Sequence, residues 1–114
     1  MKTFDQYTIR QQIVLCTLMS IASNYATVEA LEDDNCSWFT PKELMNATRW
    51  SKETIGGVMA GMKDENLITH WDDNEWFVNK ETWTMIGEKV GRNVRLEDVA
   101  SVAYPKTSEL LELL

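Results

Sequence analysis

Histidine, cysteine and proline are scarce in this sequence. His70 is the single histidine, which excludes a metal centre built on several histidines, and the two cysteines, Cys16 and Cys36, have no metal-binding or redox spacing. We expect Cys16 in the core of a helix and Cys36 in a loop. No run of about 18 apolar residues occurs, and the first residues turn polar before a signal peptide could form. A cytoplasmic protein with no membrane contact, no metal and no cofactor is therefore expected.

A glycine loop that cradles phosphates is also missing. Gly56, Gly57 and Gly61 of "IGGVMAG" fall within a helical pattern, whereas a phosphate loop follows a strand. The carboxylates are concentrated in loops and a hairpin, where solvated surface is a simpler explanation than a catalytic pair. We therefore expect that the protein is not an enzyme.

Basic residues are outnumbered by acidic ones, 11 to 18, which gives a formal net charge of −7. Two acidic segments account for this excess: 29–34 holds four carboxylates and 64–75 holds five. The rest of the chain is therefore mildly basic. Because non-specific DNA affinity comes mainly from neutralising phosphates, the total charge disfavours strong general DNA binding but leaves room for a local basic face.

Helix-start signals divide the chain into segments. Residues 8–30 predict a long helix that is apolar on most faces, as expected of a helix central to a core or shared with a second subunit. Thr40 and Glu43 form the pattern of a capping box, and Ser51 caps the next helix, which ends near Asn66 in a left-handed conformation.

The segment "LITHWDDNEWFVN", residues 67–79, predicts a β-hairpin. A two-residue turn at Asp73 and Asn74 would set Trp71 opposite Trp76, and a four-residue loop is equally compatible with the sequence. Further helices are predicted over 80–91 and 95–105, followed by a leucine-rich amphipathic tail over 107–114.

The order helix, helix, turn, helix, hairpin, helix resembles the winged helix-turn-helix superfamily over residues 39–79. Within it, residues 51–69 are similar to the recognition helix and first wing strand of MarR-type regulators and of phage replication-protein N-terminal domains. The matching residues are Ser51, Thr54, Ile55, Val58, Met59, Met62, Leu67 and Ile68. The resemblance implies a mainly α fold with a small β-hairpin: a single winged-helix domain over residues 1–114 with a long N-terminal helix and a C-terminal helical extension.

That resemblance implies a DNA-binding regulator of transcription or replication, which inserts a recognition helix at about 51–65 into the major groove of double-stranded DNA. The predicted DNA-binding residues are Lys42, Arg49, Ser51, Lys52, Thr54, Gly56, Gly57 and Lys63. Lys89, Arg92 and Arg95 either join this face or are scattered solvated charges. The glycines stand where such helices often carry polar or basic side chains. They cost about 1 kcal/mol each relative to alanine, so we expect something to offset that cost, such as close approach by another backbone or helix.

An acidic protein-interaction module, either a phage-type effector or a DNA mimic that engages a host or regulatory protein, is the alternative. Its predicted partner-binding residues are Trp71, Asp72, Asp73, Glu75 and Trp76, because tryptophan is enriched among residues that dominate interface affinity. The two tryptophans could equally be a stabilising cross-strand pair. The other three, Trp38, Trp50 and Trp83, are predicted to cover the core. The long first helix and the leucine tail fit a homodimer interface, or the tail folds back on its own core.

Overall fold

The computed structural model describes residues 2–21 and 38–90. Several predictions therefore fall outside the described residues: the first helix beyond residue 21, Cys36, the acidic segment 29–34, the helix over 95–105 and the leucine-rich tail. The same holds for Arg92 and Arg95.

The described part of the chain is mainly helical, with a small antiparallel sheet of three strands. A short 3₁₀ turn precedes the first helix, and short turns connect the successive elements between residues 38 and 90. The elements are the turn Phe4–Gln6, α1 Ile9–Ile21, β1 Trp38–Phe39, α2 Pro41–Thr48, α3 Lys52–Asp64, β2 Ile68–Asp72, β3 Glu75–Val78 and α4 Lys80–Val90. The strand order is β1-β3-β2.

Side-chain caps fix the start of α2 and α3 as the sequence predicted. The Thr40 hydroxyl accepts from the Glu43 amide at 3.2 Å, and the Glu43 carboxylate accepts from the Thr40 amide at 3.0 Å. The Ser51 hydroxyl accepts from the Thr54 amide at 3.2 Å. These bonds satisfy amides that have no partner within their helix. Asn66 has the left-handed conformation expected of it, with φ 61°.

Helix α1 lies in the centre of the core. All residues from 13 to 19 are buried, so the helix has no solvated face along that stretch. It contacts α2 and α3, and Cys16 is buried within it as predicted. Trp83 of α4 is fully buried in the same cluster, as predicted, and Trp50 packs partly buried against it.

The sheet differs from the predicted hairpin in its register. Trp76 pairs with His70, not with Trp71, because the ladder is irregular between His70 and Asp72. Since successive side chains on a strand point to opposite faces, this irregularity places Trp71 and Trp76 on opposite faces of the sheet. The predicted Trp71–Trp76 pair is therefore wrong.

The strand β1 was missed by the sequence prediction. It pairs antiparallel with β3, setting Trp38 opposite Phe77 and Phe39 opposite Trp76. Phe39 is buried, whereas Trp38 lies on the outer face with 47% of its surface exposed. The prediction that Trp38 covers the core is therefore wrong.

Candidate nucleic-acid interface

The solvent-facing side of α3 is a strip of small residues between two lysines. Lys52, Gly56, Gly57, Ala60 and Lys63 are exposed or partly so along this strip. A Cβ added at Gly56 or Gly57 would meet no described atom within 4 Å beyond the neighbouring backbone of its own helix. Within the described residues, no other segment approaches these two glycines closely. The helix presents bare backbone between its two cationic ends.

Gly61 differs from the other two glycines because it faces α1. A Cβ at this position would lie 3.4 Å from the side-chain nitrogen of Gln11. The nearest group is the end of a flexible side chain, so the approach is ordinary contact and not a strict requirement for glycine.

A groove of about 430 Å³ runs between α2, α3 and the hairpin. Its described lining residues are mostly apolar, with lysines and a histidine among them: Pro41, Met45, Lys52, Ile55, Gly56, Met59, Ala60, Lys63, His70 and Trp76. His70 stacks on Trp76 with ring centroids 4.5 Å apart. The structure thus brings Trp76, predicted for the protein partner, to the same groove as Lys52 and Lys63, predicted for DNA.

The turn between α2 and α3 supplies further positive charge. Arg49 ends α2 in a left-handed conformation, with φ 62°, and its side chain is exposed. Lys42 is exposed on the first turn of α2. The Ser51 hydroxyl also donates to the Thr54 hydroxyl at 3.0 Å, so both hydroxyls belong to the cap that orients the start of α3.

Arg10 is a basic residue near α3 that the sequence prediction missed. It lies at the start of α1 and lines a second groove, of about 350 Å³, together with Glu53, Thr54 and Gly57 of α3. Its guanidinium lies 5.9 Å from the centre of the Trp50 ring. No local sequence signal indicates this position, because the approach of α1 to α3 is a tertiary contact.

The other charges limit the size of any positive face. The Lys89 ammonium binds the Asp5 carboxylate at 2.9 Å, so it does not add a free cation near α3. Glu53 is exposed on α3 itself, and Asp72, Asp73 and Glu75 are exposed at the hairpin tip. Among the described residues, the positive charge close to α3 therefore comes from Arg49 of the α2–α3 turn, Arg10 of α1, and Lys52 and Lys63 at the two ends of the strip.

Comparison with known proteins found no matching protein-family model, no curated protein of similar sequence and no solved structure of similar fold. Within residues 2–21 and 38–90, no helix is both long and apolar enough to cross a membrane. The same residues contain no group of three or more histidine, cysteine or acidic side chains placed to hold a metal ion.

Proposed function

We propose that this chain is a winged helix-turn-helix domain that docks on double-stranded DNA through the exposed strip of α3, mainly by contacts to phosphates. The observation that carries this proposal is the position of Lys52 and Lys63 at the two ends of a strip of exposed glycine and alanine. The order of the elements supports it, since α3 follows a tight turn after α2 and precedes the hairpin that would be the wing.

The dimensions of α3 fit a major groove. At about 1.5 Å per residue, Lys52 and Lys63 are separated by roughly 16 Å along the helix axis. The major groove of B-DNA is about 12 Å wide, so lysines at this spacing reach phosphates on both sides of it. Arg49 and the capped start of α3 lie at the same end as Lys52, where the partial positive charge of a helix N-terminus also favours phosphate.

Sequence selectivity is expected to be weak. Base discrimination requires side chains such as arginine, asparagine or glutamine that reach base edges, and Gly56, Gly57 and Ala60 have none. Contacts to phosphates position a protein on the duplex without identifying the bases. We therefore expect unrelated duplexes to bind with similar affinity.

Fluorescence anisotropy of a labelled duplex tests this proposal at about 50 and 200 mM salt, a range over which phosphate contacts lose affinity steeply. Lys52→Ala and Lys63→Ala should each weaken binding and reduce the salt dependence by about one phosphate contact. Lys80→Ala, which removes an exposed lysine on α4, is the matched control and should bind as the unchanged protein does.

A pair of charge insertions locates the interface more sharply. Space is open at Gly56, so Gly56→Lys and Gly56→Glu are both compatible with the fold. We expect the lysine variant to bind duplex more tightly and the glutamate variant less tightly than the unchanged protein. Equal affinity of the two variants would place the duplex elsewhere, and no binding at low salt would exclude general DNA affinity altogether.

The second candidate, a protein-interaction module, is favoured by a different observation. Trp71 and Trp38 are 67% and 47% exposed, and both lie on the face of the sheet turned away from the α3 groove. This face carries exposed aromatic rings beside carboxylates, so a function in protein binding there would be independent of the proposed DNA binding.

A further inference from the structure

Three aromatic rings meet on the outer face of the sheet, one from each strand. Trp38 of β1 lies opposite Phe77 of β3, and Trp71 of β2 lies beside both. The ring centroids of Trp38 are 5.4 Å from Phe77 and 5.8 Å from Trp71, and those of Trp71 and Phe77 are 6.4 Å apart. The rings are packed edge to face, so the cluster presents both ring faces and ring edges to solvent.

Mutual packing does not account for the exposure of this cluster. Apart from Ile9, Trp38 and Trp71 are the exposed large hydrophobic residues of the described chain. A cross-strand aromatic pair stabilises a sheet whether or not its outer side is covered. Two neighbouring tryptophans that are 47% and 67% exposed are typical of a surface that a partner covers, since tryptophan is enriched at the centres of interfaces.

Carboxylates border the aromatic cluster. A hollow of about 330 Å³ next to Trp38 is lined by Phe39, Thr40, Glu43 and Glu75, so none of its described lining residues is basic. Glu75 also pairs across the hairpin with Asp72, and both are exposed. The cluster therefore combines exposed indole rings with negative charge, and this combination decides which partner fits it.

We propose that this aromatic surface, formed by Trp38, Trp71 and Phe77 with Glu43 and Glu75 at its border, binds an arginine-bearing segment of a partner protein. A guanidinium stacks on an indole face and is attracted to its negative potential. The same planar group forms paired hydrogen bonds with a carboxylate, which an ammonium does not. Nucleic acids and anionic lipids carry phosphates that Glu43 and Glu75 repel, which favours a basic protein segment over either of them.

The binding test uses the full chain and a fluorescein-labelled peptide of alternating arginine and glycine, followed by anisotropy. A peptide with citrulline in place of arginine is the matched probe, because it keeps the shape of the side chain and removes its charge. We expect the arginine peptide to bind and the citrulline peptide to bind at least about tenfold more weakly. Equal binding of the two peptides would overturn the proposal.

Variants of the protein locate the peptide on the surface. Trp71→Ala and Glu75→Gln should each weaken binding about three- to tenfold. Glu88→Gln, which removes the same charge from an exposed position on α4, should leave it unchanged. A loss as large in Glu88→Gln as in Glu75→Gln would mean that the net charge alone attracts the peptide, and would overturn the assignment.

Light scattering distinguishes a second copy of this chain from a basic partner. We expect Trp71→Ala to leave the molar mass in solution unchanged. A shift from dimer to monomer in that variant would assign the aromatic surface to self-association and overturn the proposal. If Trp71→Ala folds poorly, Glu75→Gln still tests peptide binding at this surface, because it removes the charge and keeps the size of the side chain.

Discussion

Gly56 and Gly57 stand in the middle of α3 with open space around them. Glycine at such positions lowers helix stability relative to alanine, because it loses more backbone freedom on folding. Nothing within the described chain compensates for that cost at these two residues. Close packing within the described residues therefore does not explain their presence.

Alanine substitutions test this interpretation. Gly56→Ala and Gly57→Ala should each raise the free energy of unfolding by about 0.5–1 kcal/mol, measured by urea denaturation. Gly61→Ala should gain a similar amount, because its Cβ would make only ordinary contact with the Gln11 side chain. Destabilisation by Gly56→Ala or Gly57→Ala would show that the two glycines are needed by the fold itself.

The ionisation of the buried Tyr7 phenol is expected to lower the stability of the fold at alkaline pH. Burial raises the pKa of the Tyr7 phenol above its ordinary value of 10.0, the charge of Glu65 raises it further, and Lys2 acts in the opposite direction. The folded chain thus holds this proton more tightly than the unfolded chain. The stability that Tyr7 contributes through this raised pKa is fully present below pH 10. It declines as the pH rises above 10 and is lost once the pH passes the raised pKa.

The matched variant for this prediction is Tyr7→Phe, which keeps the ring and removes the titrating group. Unfolding free energies measured between pH about 9 and 11 should fall more steeply for the unchanged protein than for the variant. Parallel curves would mean that Tyr7 titrates alike in the folded and unfolded chains.

At the scale of the elements, the sequence predicts the helices better than the sheet. Local signals determine α2 and α3: Thr40, Glu43 and Ser51 act on amides within three residues, and their hydrogen bonds are as predicted. The hairpin was also predicted, because its two strands are adjacent in the chain.

Strand β1 and the irregularity of β2 lack such local signals. β1 contains two residues and is a strand only because β3 lies beside it. The irregularity between His70 and Asp72 changes the face to which Trp71 belongs, because a slip of one residue reverses the side-chain direction. For this reason the sequence singled out Trp71 as a candidate for partner binding but not Trp38 or Phe77, which the sheet brings beside it.

Asn79 connects the hairpin, the end of α3 and the start of α4. Its side-chain nitrogen donates to the Asn66 carbonyl at 2.6 Å, and its side-chain oxygen accepts from the Thr69 hydroxyl at 2.6 Å. The backbone amide of Asn79 donates to the Leu67 carbonyl. The same carbonyl also accepts from the buried Thr82 hydroxyl at 2.7 Å. The hairpin is thereby held at a fixed position against the helices.

Removing the Asn79 side chain should therefore weaken the fold. We expect Asn79→Ala to lower the free energy of unfolding by about 1–2 kcal/mol. The substitution removes two hydrogen bonds, and the Thr69 hydroxyl and the Asn66 carbonyl each lose the partner that the Asn79 side chain provided. Asn46→Ala, at an exposed position on α2, is the control and should change stability by less than about 0.5 kcal/mol. Similar effects of the two variants in urea denaturation would contradict this role for Asn79.

At the scale of the whole molecule, the sheet separates two surfaces of different charge. Its inner side carries His70 and Trp76 toward the groove lined by Lys52 and Lys63. Its outer side carries Trp38 and the other rings, next to Glu43 and Glu75. Phosphates are attracted to the first surface and repelled by the second, while a cationic peptide has the opposite preference.

If both proposals hold, duplex DNA at the α3 strip and the arginine peptide at the aromatic surface should bind independently, because the two surfaces are separate. A saturating amount of duplex should change the affinity for the arginine peptide by less than about threefold when measured on the protein, since groups far apart without shared partners act nearly additively. The measurement requires a protein-detected signal, such as fluorescence of a dye attached to the chain, because the peptide also binds duplex directly. Trp71→Ala should leave duplex affinity unchanged, and Lys52→Ala should leave peptide affinity unchanged. If instead Trp71→Ala weakened duplex binding as much as Lys52→Ala does, a single surface would bind both ligands, and the outer face of the sheet would belong to the DNA interface.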